Sequence, residues 1–385
     1  METKKLYYVD CHMCRFSATV LQCTEMEKGF EVILDQTAFY PEGGGQAADT
    51  GMLGTVRVLD TRERGDIIVH LCNGALAVGD TVEGCIDFDL RFDRMQQHTG
   101  EHIVSGLIHA RYGYHNTGFH MGTESTTIDF DGVIPAEDLP GLEAAANAAV
   151  WQNLAVKCWI PSPAELESVT YRTKRALPWP VRIVEVPGFD TCACCGTHTA
   201  FTGEVGLVKL FSAIPFRGGT RMEMACGKRA LAILNSAYEQ NKLVSQAFSA
   251  KIQETSEAAR KMNELLAAQK YRITGLEMKI FEGIARGYTG AGNVLHFEEE
   301  LDNTAVRELA DKIAERCGGT AAVFSGDEEN GYAFCLVARQ GDLRQLGKDM
   351  TKALHGRGGG KPVFQQGRVQ STKAEIEAFF AQTGR

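Results

Sequence analysis

No apolar run in the 385-residue sequence approaches the length needed to cross a bilayer. The N-terminal Met1–Lys5 and the short run Leu6–Val9 lack the long apolar stretch and small-residue cleavage site of a signal peptide. A cytoplasmic location, with no membrane partner, is therefore expected. A net positive charge is also missing: 40 basic residues stand against 49 acidic ones, a formal charge of −9. That balance argues against a chain whose whole surface coats nucleic acid. No proline lies between Phe216 and Pro362, so nothing there breaks a long helix. There is no internal repeat and no low-complexity tract. What is present is ordinary for a globular protein, with 44% hydrophobic and 23% charged residues in a chain long enough for two or three domains. The twelve cysteines are scattered, which suits free thiols or metal ligands better than a disulfide framework.

The charge is unevenly spread. Residues 221–385 hold 23 basic and 21 acidic side chains, whereas residues 1–220 hold 17 and 28. Between Arg339 and Arg368 seven basic residues meet two acidic ones. Phosphate contact depends on the local field, so this segment is the place to expect it.

The hydrophobic pattern predicts an α+β chain in four parts. Residues 1–90 read as short strands (Leu6–Val9, Arg15–Leu21, Phe30–Leu34, Val56–Leu59, Ile67–Leu71) separated by turns, which suits a small β-barrel or sandwich. Residues 91–226 open on a helix to about Tyr112, with a second helix over Pro135–Asn153. Strands follow around Val156–Ile160 and Val181–Val186, and then a loop over Pro187–Gly196. Residues 227–287 read as a helical hairpin or partial coiled coil. Residues 288–385 alternate strand and helix, as in a small α/β or α+β domain, and include the glycine-rich Gly356–Lys361.

His98 and His102 stand four apart on the first predicted helix, so both imidazoles face one way, one turn apart. That spacing presents two ligands to one metal ion. A metallopeptidase would carry Glu beside the first histidine; here Thr99 holds that place and Glu101 precedes the second. Cys194-Cys195-Gly196-Thr197-His198 offers a thiolate and an imidazole across a glycine turn, completing a His3Cys set suited to zinc. A rival arrangement pairs Cys11-His12-Met13-Cys14 with Cys192-Ala193-Cys194-Cys195 as a structural four-cysteine site.

Four blocks of residues resemble a known family. They are Thr37–Gln46 with Asp49 and Gly51; His98–His102; Cys194–His198 followed by Thr202–Gly206; and Arg357–Lys361. Together they resemble the free-standing alanyl-tRNA editing proteins of the long AlaX type, which are related to the editing domain of alanyl-tRNA synthetase. The resemblance implies an editing domain over 91–226 and a C-terminal domain of the DHH-associated kind. It implies zinc on His98, His102, Cys194 and His198, a contact from Thr37 to a seryl hydroxyl, and a substrate loop of Gly43, Gly44 and Gly45 with Gln46. It also implies tRNA or a second copy of the chain as partner of the C-terminal part, with Arg357, Gly358, Gly359, Gly360 and Lys361 at the phosphates.

Two positions depart from the family pattern. Cys195 replaces a glycine, which leaves it as an alternative ligand to Cys194. A glutamine of the synthetase editing domain has no counterpart in Gly118-Phe119-His120. The implied substrate is alanine tRNA mischarged with serine or glycine, and the implied reaction is ester hydrolysis. A small pocket discriminates poorly between side chains of similar size, so a second, hydrolytic site is needed. No nucleotide P-loop is expected, because Pro362 follows Lys361 where Ser or Thr is required. There is no Asp-His-His motif, and no aminoacylation domain is expected ahead of the first block.

Overall fold

A computed structural model describes residues 2–173 and 179–382. The chain divides into two compact units, 1–243 and 244–385.

In the first unit, β1 (Lys4–Lys5) pairs in parallel with β4 (Gln36–Thr37). Strands β2 (Arg15–Met26), β3 (Gly29–Leu34), β5 (Gly51–Leu53), β6 (Val56–Arg64), β7 (Ile67–Cys72) and β8 (Thr81–Ile86) close into a barrel in the order β2-β3-β7-β6-β5-β8. Closure leaves no unpaired edge. Alternating inward residues such as Phe16, Ala18 and Val20 meet Val32, Leu34, Leu53 and Val58 in its core. The strand expected at Leu6–Val9 is instead a 3₁₀ turn, Leu6–Tyr8. Leu6 and Tyr7 are neighbours and both buried, which an extended strand with one buried face cannot achieve.

Helix α1 (Phe88–Tyr112) follows directly and ends on Gly113 in the left-handed conformation. It packs with α2 (Leu139–Trp151) on a sheet ordered β14 (Val208–Phe216), β15 (Gly219–Cys226), β10 (Thr126–Phe130), β9 (Asn116–Met121). Ile103, Ile108, Ile128, Val150 and Met222 lie at the centre of that core. A three-stranded sheet joins β11 (Lys157–Trp159), β12 (Ile183–Val186) and β13 (Asp190–Ala193). The last strand corrects the loop expected over Pro187–Gly196: Val186 pairs with Asp190 around a tight turn, and the strand runs on to Ala193. Helix α4 (Gly227–Ala247) carries the last residues of this unit and the first of the next.

In the second unit, α5 (Thr255–Gly287) leads into a five-stranded mixed sheet. Its order is β16 (Gly292–Glu298), β17 (Gly318–Asp327), β18 (Gly331–Ala338), β20 (Phe364–Val369), β19 (Arg357–Lys361). Helix α6 (Asn303–Cys317) and the end of α5 cover one face; α7 (Arg344–Ala353) and α8 (Lys373–Gln382) cover the other. Alternation along β17 sends Ala321 and Val323 to the first core and Ala322 and Phe324 to the second. Along α5, Leu265, Leu266, Ile273, Leu276 and Ile280 remain exposed. The glycine-rich segment forms the edge strand β19. Its register with β20 lets backbone and Phe334 press within 3 Å of where side chains at Gly358 and Gly360 would begin. Among the described residues, no helix is long and apolar enough to cross a membrane.

Candidate metal centre

The middle of α1 buries an unusual row of polar side chains: Gln96, Gln97, His98, Thr99, Glu101, His102 and Ser105. Buried polar groups need partners, and most of these have them. Gln97 exchanges two hydrogen bonds with the backbone of Cys226 (2.9 and 2.7 Å). Gln96 Nε2 donates to Glu204 O (2.8 Å), and Thr199 N donates to Thr99 Oγ1 (3.0 Å). At the start of the helix Arg91 and Asp49 form a fully buried ion pair. Asp49 also accepts from Tyr40 N (2.8 Å), while Arg94 donates to Ala48 O (2.8 Å). These bonds hold the glycine-rich segment after Thr37 against the helix.

His98, His102, Cys194 and His198 converge, with one ligand atom from each lying within 4.8 Å of the others. Two of the imidazoles are aimed by partners behind them. His102 Nδ1–H donates to Asp190 Oδ2 (2.8 Å), and Arg172 grips the same carboxylate through Nε and Nη2 (2.6 and 2.8 Å). His98 Nδ1–H donates to Gln46 Oε1 (3.3 Å), while Gln46 bonds Thr197 through both ends of its amide (2.8 and 3.0 Å). In both cases Nε2 is left facing the cluster, as metal-binding histidines held by a carboxylate or carbonyl are. His98 Nε2 lies 3.3 Å from Cys194 Sγ.

His198 is different. It is buried, and among the described residues neither ring nitrogen has a hydrogen-bond partner. An orphaned imidazole inside a protein needs an explanation, and a metal ion supplies one. The donor chemistry agrees. Burial opposes ionisation of the Cys194 thiol, yet the imidazoles of His98 and His198 hold its pKa well below the usual thiol value. Burial and the neighbouring His98 push His198 well below the usual imidazole value. A thiolate among three imidazoles is a donor set that zinc takes.

Two close approaches build the centre. Gly196 lies where a Cβ would fall 2.1 Å from His98 Cε1, so a side chain there would displace the ring. Gly106 lets α1 approach the backbone of Phe189, where a Cβ would sit 2.2 Å from the carbonyl oxygen, and this contact brings Asp190 to His102. The turn that carries Cys194 is pinned through its carbonyls. Arg182 Nη1 donates to Cys194 O and Gly196 O (both 2.9 Å), and Tyr8 OH donates to Cys195 O (2.8 Å).

The centre lies in a cleft of about 1300 Å³. Gly44 and Gly45 line it together with Glu101, Asn116, Thr117, Arg172 and Arg182. Gly44 passes close to Cys195, whose thiol lies 3.1 Å from where a Cβ would stand. Gly43 bonds Gln46 through both backbone groups (3.0 Å each), closing the turn.

Other expected site residues lie elsewhere. Thr37 is fully buried in the barrel and does not line the cleft. Its hydroxyl donates to His70 Nε2 (2.8 Å) and accepts from Phe39 N (3.1 Å). Cys195 is exposed, accepts from Tyr40 OH at 3.8 Å and stands outside the cluster, whereas Cys194 lies in it. The four-cysteine arrangement does not form. Among the described residues Cys11 groups with Asp10 and His12, Cys192 with His102 and Asp190, and neither group joins the two cysteine pairs. His120 is exposed on β9. Arg357–Lys361 lie in the second unit, exposed along β19.

The structure adds residues that spacing did not single out: Asp190 and Arg172 stand behind the donor cluster and Asn116 lines the cleft, while Gln46, expected beside the substrate, bonds His98 and Thr197. Asp190 sits four residues before Cys194 in a segment without helical or alternating periodicity, so nothing in the sequence marked it.

The chain joins a barrel to a helix–sheet domain that carries a His3Cys cluster able to hold a metal ion beside a cleft. Three family descriptions match in chain order: tRNA synthetases class II (A) over residues 4–90, the threonyl and alanyl tRNA synthetase second additional domain over 181–224, and the DHHA1 domain over 290–383. Alanyl-tRNA editing protein Aarsd1 of Danio rerio is 28% identical over 96% of this chain and 95% of its own. The Mus musculus Aarsd1 protein is 25% identical over 96% and 95%. An alanine–tRNA ligase of Thermofilum pendens is 30% identical over 97% of this chain but 43% of its own, so the chain spans about two fifths of that relative. Over nearly its whole length the chain is similar to proteins named as alanyl-tRNA editing proteins.

Proposed function

We propose that the protein is a zinc-dependent aminoacyl-tRNA deacylase that hydrolyses alanine tRNA mischarged with serine or glycine. One observation carries the reading: four zinc-type donors converge, three of them (His98, His102 and Cys194) lining a cleft large enough for an aminoacylated tRNA end, and the fourth, His198, has no hydrogen-bond partner among the described residues. His98, His102, Cys194 and His198 would hold the ion. Zinc bound there supplies Lewis acidity for water or an ester carbonyl. Gln46 and Asp190 keep the imidazole protons on Nδ1 and the free Nε2 atoms aimed inward. Arg182 and Tyr8 hold the cysteine turn still, so the donors keep their places as substrate enters. Gly44 and Gly45 let backbone form the cleft wall, close to an incoming ester.

The four-part division at residues 90, 226 and 287 belongs to this reading. The C-terminal part binds tRNA through Arg357, Gly358, Gly359, Gly360 and Lys361, whose exposed strand offers charge and backbone to phosphates. The exposed apolar row on α5 supports a homodimer through the same part. The protein acts in the cytoplasm.

The test is serine release from seryl-tRNA of the alanine type, with zinc and after chelation. Release that needs zinc and vanishes in the His98→Ala/Cys194→Ala double variant supports the proposal. Unchanged turnover in that variant refutes it.

A further inference from the structure

Glu101 shares one face of α1 with His98, His102 and Ser105, and it is a buried carboxylate lining the cleft. Its two oxygens have different surroundings. Oε1 accepts from Ser105 Oγ and from Asn116 Nδ2, both at 2.5 Å. Among the described residues none donates a hydrogen bond to Oε2, which stands 3.9 Å from His102 Nε2 beside the donor cluster. Glu101 is not one of the four clustered donors. The side chain is thus fixed from behind, with one anionic oxygen presented to the cleft beside the centre. A buried carboxylate with an unpaired oxygen is unfavourable unless a cation or donor completes it. Arg172, which also lines the cleft, is already bound to Asp190.

An aminoacyl ester carries one cation, the α-ammonium, on the carbon next to the scissile carbonyl. From the free Oε2 of Glu101 beside the cluster, we infer that Glu101 binds the α-ammonium of the substrate and so selects esters with a free amino group. Ammonium held at Oε2 sets the carbonyl, two bonds away, toward the four donors. Asn116 and Ser105 act as positioning residues by holding Oε1. The inference rests on the aminoacyl-ester reading above and adds what the site requires of its substrate.

The test compares seryl-tRNA with the same tRNA carrying the 2-hydroxy analogue, in which a hydroxyl of similar size replaces the ammonium. The zinc-loaded wild-type protein should favour the seryl ester by at least about tenfold in kcat/KM, the size of a hydrogen bond to a charged group. Glu101→Gln should raise KM for the seryl ester, leave the analogue little changed, and so erase the preference at unaltered zinc content. Equal wild-type rates on the two esters overturn the inference while leaving deacylation intact. A Glu101→Gln variant that slows both esters equally in kcat also overturns it, because that marks a proton-transfer role. Zinc loss in that variant, with the wild type showing no preference, marks a structural role and overturns it too. If the wild type hydrolyses neither ester, the deacylase reading fails and this inference falls with it.

Discussion

Two buried histidine environments in the first unit look alike in burial and differ in everything else. In the barrel core, His70 donates from Nδ1 to Val32 O (3.1 Å) and accepts at Nε2 from Thr37 (2.8 Å), so the ring is neutral and complete. In the donor cluster, His198 is equally enclosed, and among the described residues neither nitrogen is partnered. Burial alone therefore says nothing about metal binding. The hydrogen-bond inventory around the ring separates a core histidine from a ligand. The same inventory ties Thr37 to His70 and Phe39 in the barrel, and it places Gln46 and Asp190 behind His98 and His102 of the donor cluster.

Substitutions should separate the two environments sharply. The largest effect is expected at the donor cluster, where His198→Ala should reduce bound zinc from about one per chain to almost none and abolish deacylation. Metal analysis with a serine-release assay checks this. Next come the supports: Asp190→Asn or Gln46→Ala should weaken zinc affinity by about 10–100-fold while the fold persists, read by competition with a chelator. In the barrel the outcome should reverse. Thr37→Val leaves His70 Nε2 unpaired and should destabilise the protein by about 1–3 kcal/mol in chemical denaturation, with zinc content unchanged. Loss of zinc in Thr37→Val would erase the distinction.

The barrel histidine also predicts a pH signature. Burial lowers the pKa of His70 from its ordinary 6.5 to about 4. The unfolded chain binds the proton more readily, so the neutral ring contributes stability above about pH 6.5 that is lost as pH falls toward 4. His70→Gln should flatten that part of the stability curve, measured by denaturation across the window. The smallest effect is expected in the second unit. Arg357→Ala or Lys361→Ala should weaken tRNA binding only modestly and reduce its salt slope by about one each, because these side chains are exposed and act through charge.

What could be read from the sequence follows from how local each signal is. The helix bearing His98 and His102 was legible because its period and its ligand spacing are the same number. The barrel strands were legible from alternation, except at Leu6–Tyr8, where two adjacent residues are buried and the pattern misleads. The strand at Arg357–Lys361 was not legible because glycine disfavours strands, yet the β20 backbone at Gly358 and Gly360 and the ring of Phe334 at Gly358 leave no room for a side chain. Asp190 and Arg172 were invisible because their meaning arises only when β13 meets α1 across 88 residues of chain. Gln46 was noted beside the glycines, but its amide turned out to face Thr197 and His98 rather than the open cleft. The choice between Cys194 and Cys195 needed the turn geometry, since neighbouring residues of extended backbone face opposite ways.

The central claim is that His98, His102, Cys194 and His198 form one zinc centre, and metal stoichiometry tests it most directly. Purified wild-type protein should hold about one zinc per chain, His198→Ala almost none, and His70→Gln the same as wild type. Zinc retained in full by His198→Ala, or lost equally from His70→Gln, would contradict the account.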